Sequence, residues 1–216
     1  MIAALVPVKR LASGKTRLAR DLDRGALAAL VLAMLEDVVA ALHAATGVGC
    51  VAVVTPDPEV AGAARRLGAR ALLEPVPGLG PSLDAAARRL AAEGATGLLV
   101  VLGDVPGAQA HELAQMLDAL RELGGRGVVL VPSRDGGTAA LLRVPPFAIE
   151  SRFGPESAEA HRDLAKHAGV PFRELALPSL AIDVDSREDL EDFLAAPSGG
   201  PRTRACLRAL GFGAGA

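Results

Sequence analysis

The chain has 216 residues, half of them apolar, with five Phe, no Trp and no Tyr; 23 basic and 25 acidic side chains leave a formal net charge of -2. That length suits one α/β domain with a core of Ala, Leu and Val packed from helices onto a sheet. The near-neutral balance excludes a broadly basic nucleic-acid surface, and no uninterrupted apolar run is long enough to span a bilayer, so no membrane partner is expected.

The opening MIAALVPVKR is no secretory signal, because its apolar part is short and its basic residues follow it. Cys50 and Cys206 have neither disulfide nor zinc spacing and are expected as free thiols of a cytoplasmic protein.

In chain order, Ile2–Val8 reads as a buried strand and Gly25–Ala45 as a helix with apolar residues at helical spacing. Val48–Thr55 is a second strand closed by Pro56 and Pro58, Glu59–Leu67 a helix stopped by Gly68, and Ala69–Leu73 a third strand. Ser82 is the expected N-cap of a helix over Ser82–Ala92. Gly97–Leu102 is a strand running into Gly103-Asp104-Val105-Pro106, followed by a helix over Gln109–Leu123 and a strand over Gly127–Pro132. An extended segment follows at Ala139–Arg143, then a helix over Pro155–Ala168, a strand ending at Asp183-Val184-Asp185 and a helix over Arg187–Leu194. This alternation predicts an α/β, Rossmann-like domain over residues 1–196, a mostly parallel sheet with helices on both faces. From Pro197 the chain turns to Pro, Gly, Ser and Ala. Residues 197–216 read as a mobile tail with room for a short helix near Arg204–Leu210. The Ala/Leu-rich surface helices leave a homodimer open without requiring one.

The loop after the first strand contains Gly14-Lys15-Thr16, the end of a Walker phosphate loop. That motif needs a glycine where this chain has Lys9, so the reading fails. What remains is a strand end, Val6-Pro7-Val8-Lys9, and a loop carrying Arg10, Lys15, Arg17 and Arg20. Such a loop is often merely solvated. At the carboxyl end of the first strand, where doubly wound folds place ligands, its ammonium and guanidinium groups would hold a polyphosphate.

Asp104 follows a central strand and is fixed by Val105-Pro106, which suits a metal or sugar-hydroxyl ligand as well as a turn cap. Asp183 and Asp185 alternate, so both project to one side of an extended strand. Carboxylates held together call for a cation, and Mg²⁺ takes such oxygens while keeping sites for water and phosphate. Ser186 reads as the cap of the next helix, with Glu188 and Asp189 in its first turn. A basic loop facing an acidic metal site is the chemistry of nucleotidyl transfer.

Two further loops complete the pattern. Pro77-Gly78-Leu79-Gly80-Pro81-Ser82-Leu83-Asp84 would let backbone approach a planar base, with Asp84 accepting from the N–H edge of guanine; an ordinary turn is the alternative. Gly137, Thr138, Gly154 and Ser157 supply small donors, and a helix entered at Pro155 offers free N–H groups, so a phosphorylated acid fits there. His161 lies one turn after Ser157 and reads as structural in preference to catalytic; His43, His111 and His167 have no evident partner.

The stretches VPVKRLASGKTRLA, GDVP, DGGTAALL, SRFGPESAEAH and LAIDVDSREDL, in this order, resemble the phospholactate guanylyltransferase family of coenzyme F-420 biosynthesis, itself related to the molybdenum-cofactor guanylyltransferases. The resemblance covers most of residues 2–194. It implies a single nucleotidyltransferase domain of GT-A-like fold and Mg²⁺-dependent transfer of GMP from GTP to a phosphorylated three-carbon acid, with release of pyrophosphate. That acid would be 2-phospho-L-lactate, phosphoenolpyruvate or 3-phospho-D-glycerate. By position, Pro7, Lys9, Lys15, Arg17, Gly80, Ser82 and Asp84 would bind the nucleotide, with Lys9, Lys15 and Arg17 facing its phosphates. Asp104, Asp183 and Asp185 would hold Mg²⁺, Thr138, Gly154 and Ser157 the acid, with Lys15 and Asp104 catalytic. The chain departs from the family's usual Asn after Gly137-Thr138, where it has Ala139, and at Leu83-Asp84, where the family has Leu-Asn. These departures keep two rivals open: a molybdenum-cofactor or sugar-phosphate nucleotidyltransferase, and a non-catalytic GTP-binding subunit.

Overall fold

The computed structural model describes residues 1–11, 15, 17–73, 78–197 and 199–213. Strand segments that are apolar on both faces must be covered on both faces, and the chain does this with three layers. The strands are β1 (Ile2–Pro7), β2 (Val48–Thr55), β3 (Arg70–Leu73), β4 (Gly97–Val101), β5 (Gly127–Pro132), β6 (Thr138–Val144) and β7 (Phe172–Glu174). They form one sheet in the order β3-β2-β1-β4-β6-β5-β7. β6 runs antiparallel to both its neighbours, and the other pairings are parallel.

The helices are α1 (Arg24–Ala44), α2 (Pro58–Arg66), α3 (Leu79–Ala92), α4 (Ala110–Glu122), α5 (Ser157–His167), α6 (Arg187–Ala195) and α7 (Pro201–Ala209). Ala4 and Val6 of β1 pack with apolar residues of α1, α2, α4, α6 and α7, while Ala3 and Leu5 pack with Leu83, Ala87 and Leu90 of α3. α5 covers β5 and β6 on that second face through Ala158 and Ala165. The expected single α/β domain with a mostly parallel sheet and helices on both faces is what the chain forms.

α1 is long and apolar enough by composition to cross a membrane. Here Leu30, Met34, Leu35, Val38 and Leu42 are buried in the core. Asp37 on the same helix is buried too, and its carboxylate accepts from Arg202 N–H at 3.1 Å, Thr203 N–H at 2.7 Å and Thr203 Oγ1 at 2.7 Å. These are the orphan donors at the start of α7, whose own N-cap is Gly200 with no side chain to offer. Arg204 adds bonds to the carbonyls of Phe193, Leu194, Ala196 and Gly199, and its guanidinium stacks 4.7 Å from the Phe193 ring. The segment that composition marks as a mobile tail is therefore a helix fastened to α1 and α6. Cys50 and Cys206 are both free thiols.

Three other expectations change. α3 starts at Leu79 after the N-cap Gly78, and Ser82 N–H donates to the Gly78 carbonyl at 3.2 Å, so Ser82 lies inside the first turn and is not the N-cap. Residues 181–185 form no strand: Arg134 N–H donates to the Ala181 carbonyl at 3.2 Å and Val184 N–H to the Asp104 carbonyl at 2.9 Å, so the segment is tied to two loops instead of a ladder. The sheet edge there is β7, which the sequence pattern did not mark.

Asp37→Ala leaves the part-buried Arg202 amide and the buried Thr203 amide and hydroxyl without their acceptor. The expected cost is about 1–3 kcal/mol of stability, with early tryptic cleavage at Arg202, Arg204 and Arg208. An unchanged thermal midpoint and cleavage pattern would show that α7 is not held through Asp37.

Candidate active site

Strand order reverses at β1 and β4: β2 and β3 continue on one side of the pair, β6, β5 and β7 on the other. A crevice opens beyond the carboxyl ends of strands at such a point. Here it is a cavity of about 710 Å³. Pro7 at the end of β1 with Val8, Lys9 and Arg10 after it, Thr55 at the end of β2, Gly103 and Asp104 after β4, and Ser133 and Asp135 after β5 all line it. Because β6 is antiparallel, its first residue, Thr138, reaches the same edge.

Gly103 lets β4 deliver Asp104 here. A Cβ on it would lie 2.9 Å from Val8 Cγ2 and 3.0 Å from the Pro7 carbonyl, closer than side-chain carbons approach. The basic loop leaves β1 with Leu11 N–H donating to Asp57 Oδ2 at 3.0 Å, while Oδ1 of the same aspartate caps α2 through Glu59 N–H at 2.9 Å. Lys15 has φ 57°, the left-handed conformation that a non-glycine residue adopts at a cost. Its side chain turns inward, and Nζ bonds Asp104 Oδ2 at 2.7 Å and also Asp185 Oδ1. Burial opposes charge on this ammonium, but the Asp104 and Asp185 carboxylates outweigh it and hold the pKa above its ordinary value.

Asp183 and Asp185 both line the cavity despite lying outside any strand. Burial, reinforced by Asp104, Asp135 and Asp185, pushes the Asp183 carboxyl up to about 6. Asp135 is held below its usual range by hydrogen bonds from Ser133 Oγ at 2.5 Å and Gly137 N–H at 2.9 Å, with a further contribution from the Arg17 charge.

The donor set suits Mg²⁺ in two respects. The buried Asp104 Oδ1 has no hydrogen-bond partner among the described residues, and the Asp183 carboxylate is crowded by like charge. Among the described residues no three ligands already converge as a metal cage, and Lys15 stands where two of them meet. Mg²⁺ is commonly held by one or two carboxylates plus phosphate oxygens and water, so the residues fit an ion that arrives with a nucleotide.

Across the cavity the lining is neutral. Thr138, Phe153, Gly154, Pro155 and Ser157 form it, and Ser157 Oγ lies 3.0 Å from Thr138 Oγ1. The start of α5 is not the open anion site expected at Pro155. The helix begins at Ser157 after Glu156 in a left-handed conformation, Ser157 N–H already donates to the Gly154 carbonyl at 3.2 Å, and Ala158 N–H to the Gly136 carbonyl at 3.2 Å.

Of the sequence-predicted site residues, Pro7, Lys9, Lys15, Ser82, Asp104, Thr138, Gly154, Ser157, Asp183 and Asp185 meet at this one cavity. Gly80, Asp84 and Arg17 do not line it. Gly80 packs against the 151–154 loop, where a Cβ would lie 2.9 Å from the Ser151 carbonyl. The Asp84 carboxylate acts on Arg143, a buried guanidinium that burial pushes down to about 10 and Asp84 partly restores. Arg17 is exposed and acts on Asp135. Ala12, Ser13, Gly14, Thr16 and Pro77 lie outside the described residues. Ala139 is fully buried in the core on the face of α1 and α4, away from the cavity. Both departures from the family pattern therefore sit outside the cavity lining. Asp135 and Phe153 line the cavity without having been assigned a role; the Asp-Gly-Gly-Thr turn was the signal for the first.

A mostly parallel sheet with a single reversed strand and an acidic, lysine-bridged crevice at its switch point defines an α/β nucleotidyltransferase domain. A candidate nucleotide-diphospho-sugar transferase from Desulfovibrio desulfuricans G20 superposes with TM-score 0.76 at 19% identity over 96% of this chain and 94% of that one. A nucleotidyl transferase from Methanothermobacter thermautotroptrophicus superposes with TM-score 0.59 at 19% identity over 90% and 98%. The chain belongs to the family described as guanylyl transferase CofC-like, whose pattern matches residues 2–215. It is 44% identical to a phosphoenolpyruvate guanylyltransferase of Sphaerobacter thermophilus, covering 88% of this chain and 91% of that protein. It is 42% identical to the one of Rubrobacter xylanophilus, covering 94% and 97%.

The Asp183 value lies above that of an unfolded aspartate, so as pH rises the unfolded chain loses its proton first and the folded state loses stability. In chelator-treated protein the thermal midpoint should carry a downward contribution from Asp183 between about pH 4 and pH 6 that is flat above. Asp183→Asn should remove that slope and raise the midpoint at pH 7. Identical pH profiles for wild type and Asp183→Asn would show that the carboxylates are not crowded as described.

Proposed function

We propose that this protein is a Mg²⁺-dependent guanylyltransferase that moves GMP from GTP to phosphoenolpyruvate, as a step of coenzyme F-420 biosynthesis. The observation that carries the reading is one cavity with two chemically distinct walls: Lys15 bridging Asp104 and Asp185 on one side, the Thr138–Ser157 hydroxyl pair on the other. The names of the curated relatives support the guanylyl group and the acceptor.

Lys9 and Arg10, at the end of β1, face the triphosphate and offset its charge. Lys15 sits where negative charge builds on the departing pyrophosphate. Gly78, Leu79 and Ser82, at the start of α3, border the nucleoside. Thr138, Gly154 and Ser157 seat the acid. Asp104, Asp183 and Asp185 would hold Mg²⁺, which supplies neutralisation of the phosphate charge when bound.

An oxygen of the acid's phosphate forms the new bond to the α-phosphorus of GTP. The bridging bond to the β-phosphate breaks, and its electron pair leaves with pyrophosphate. That attacking oxygen is already ionised at neutral pH, so the protein contributes placement and charge compensation without a general base.

With Mg²⁺, GTP and phosphoenolpyruvate, the purified protein should release pyrophosphate, and ATP, CTP and UTP should give little. Asp104→Asn should lower turnover by about 100-fold or more with the fold intact. Release with the wrong nucleotide, or full turnover in Asp104→Asn, would overturn the assignment. Testing 2-phospho-L-lactate and 3-phospho-D-glycerate in parallel identifies the acceptor, and GTP binding without release in any mixture would favour a non-catalytic subunit.

A further inference from the structure

His161 is wholly buried on α5, yet both of its ring nitrogens are engaged. Arg152 N–H lies 3.0 Å from Nε2. A backbone amide can only donate, so Nε2 accepts. Burial pushes the imidazole down to about 4, and the nearby Arg143 charge acts in the same direction. The ring is therefore neutral at physiological pH, and its single N–H proton must sit on Nδ1. Nδ1 lies 3.0 Å from Thr138 Oγ1, so His161 donates to the threonine hydroxyl. Phe153 packs edge-on to the imidazole, with centroids 5.2 Å apart and planes at 70°, which holds the ring in this orientation.

The consequence is a matter of counting protons. The Thr138 and Ser157 hydroxyls own two protons between them and share one hydrogen bond, at 3.0 Å. His161 fills a lone pair on Thr138 and takes no proton. One hydroxyl proton of the pair is left over, and both residues line the cavity. With the other tautomer, Thr138 would donate to Nδ1 and Ser157 to Thr138. The pair would then turn only lone pairs toward the cavity, and an anion would be repelled.

We propose that His161 is a positioning residue: by holding the Arg152 amide on one nitrogen and Thr138 on the other, it fixes the Thr138–Ser157 pair as a hydrogen-bond donor to an anionic group of the acid substrate. The inference rests on the proposed function for the identity of that acid. The Arg152 amide thereby acts on the pocket through the ring, with no contact of its own to the substrate.

Three measurements test it. ¹⁵N shifts of the His161 ring in the wild-type protein should show a neutral imidazole protonated on Nδ1, the less common tautomer; protonation on Nε2 would overturn the proposal without any substrate present. Calorimetric affinity for phosphoenolpyruvate with Mg²⁺ should fall about 10-fold or more in His161→Gln, which keeps an acceptor for Arg152 but places no donor on Thr138. His161→Asn, whose amide N–H stands near the Nδ1 position, should recover most of that loss, while affinity for GTP stays the same in both. In a Thr138→Val background, His161→Gln should cost nothing further. Equal losses for Asn and Gln, or a parallel loss of GTP affinity, would mean that the ring merely packs. If wild type binds phosphoenolpyruvate in this way and releases no pyrophosphate, the proposed reaction fails and the role of His161 stands; if wild type binds no phosphoenolpyruvate, the role of His161 fails with it.

Discussion

Asp104, Asp135, Asp183 and Asp185 crowd one edge of a sheet, and like charges at such spacing need a cation among them. Lys15 supplies one, and the loops around the cavity are built to bring it there. It accepts an uncommon backbone conformation to point inward. The strand before it ends in a loop anchored to Asp57. Gly103 gives up its side chain so that Asp104 can stand beside β1. The Asp104 carbonyl in turn receives the Val184 amide, which places Asp183 and Asp185 on either side of a buried valine. Each of these positions makes sense only in relation to the charge balance at the centre.

The opposite wall follows a different principle. It carries hydroxyls, a glycine, a proline and a phenylalanine, and its polarity is set by proton positions instead of net charge. The reversed strand makes this possible. Had β6 run parallel to β4, Val144 would have stood at the site and Thr138 at the far edge of the sheet. One inversion of chain direction thus sets a neutral, directional wall opposite an ionic one. A guanylyltransferase has use for both: the first compensates charge and the second orients an acceptor.

Much of this was readable in the residues. Apolar runs broken by Gly, Pro and Asp located six of the seven strands, because strands buried on both faces leave no other pattern. Asp104 was legible because it ends such a run. Asp183 and Asp185 were paired for a reason that does not hold, strand alternation, since their common orientation comes from bonds to Asp104 and Arg134. Gly80 and Asp84 stand outside the cavity lining, in a helix that begins at Leu79, a turn earlier than a serine cap suggests. The tie between Asp37 and Thr203 spans 166 positions, and nothing local announces it. His161 looked structural because its meaning depends on which nitrogen the Arg152 amide occupies, a fact of tertiary contact alone.

The docking of α7 has a consequence for how the protein folds. α1 carries an apolar surface that by composition alone would suit a lipid bilayer. The helix that covers part of it, and the donors that satisfy Asp37, stand 165 and 166 positions further along the chain. Until α7 docks, then, the Asp37 carboxylate lies without its partners on an uncovered apolar helix, the kind of surface that incompletely folded chains lose to aggregation or hand to chaperones. Removing α7 would therefore not simply trim the domain: it would leave the first helix uncovered and the Asp37 carboxylate without its donors.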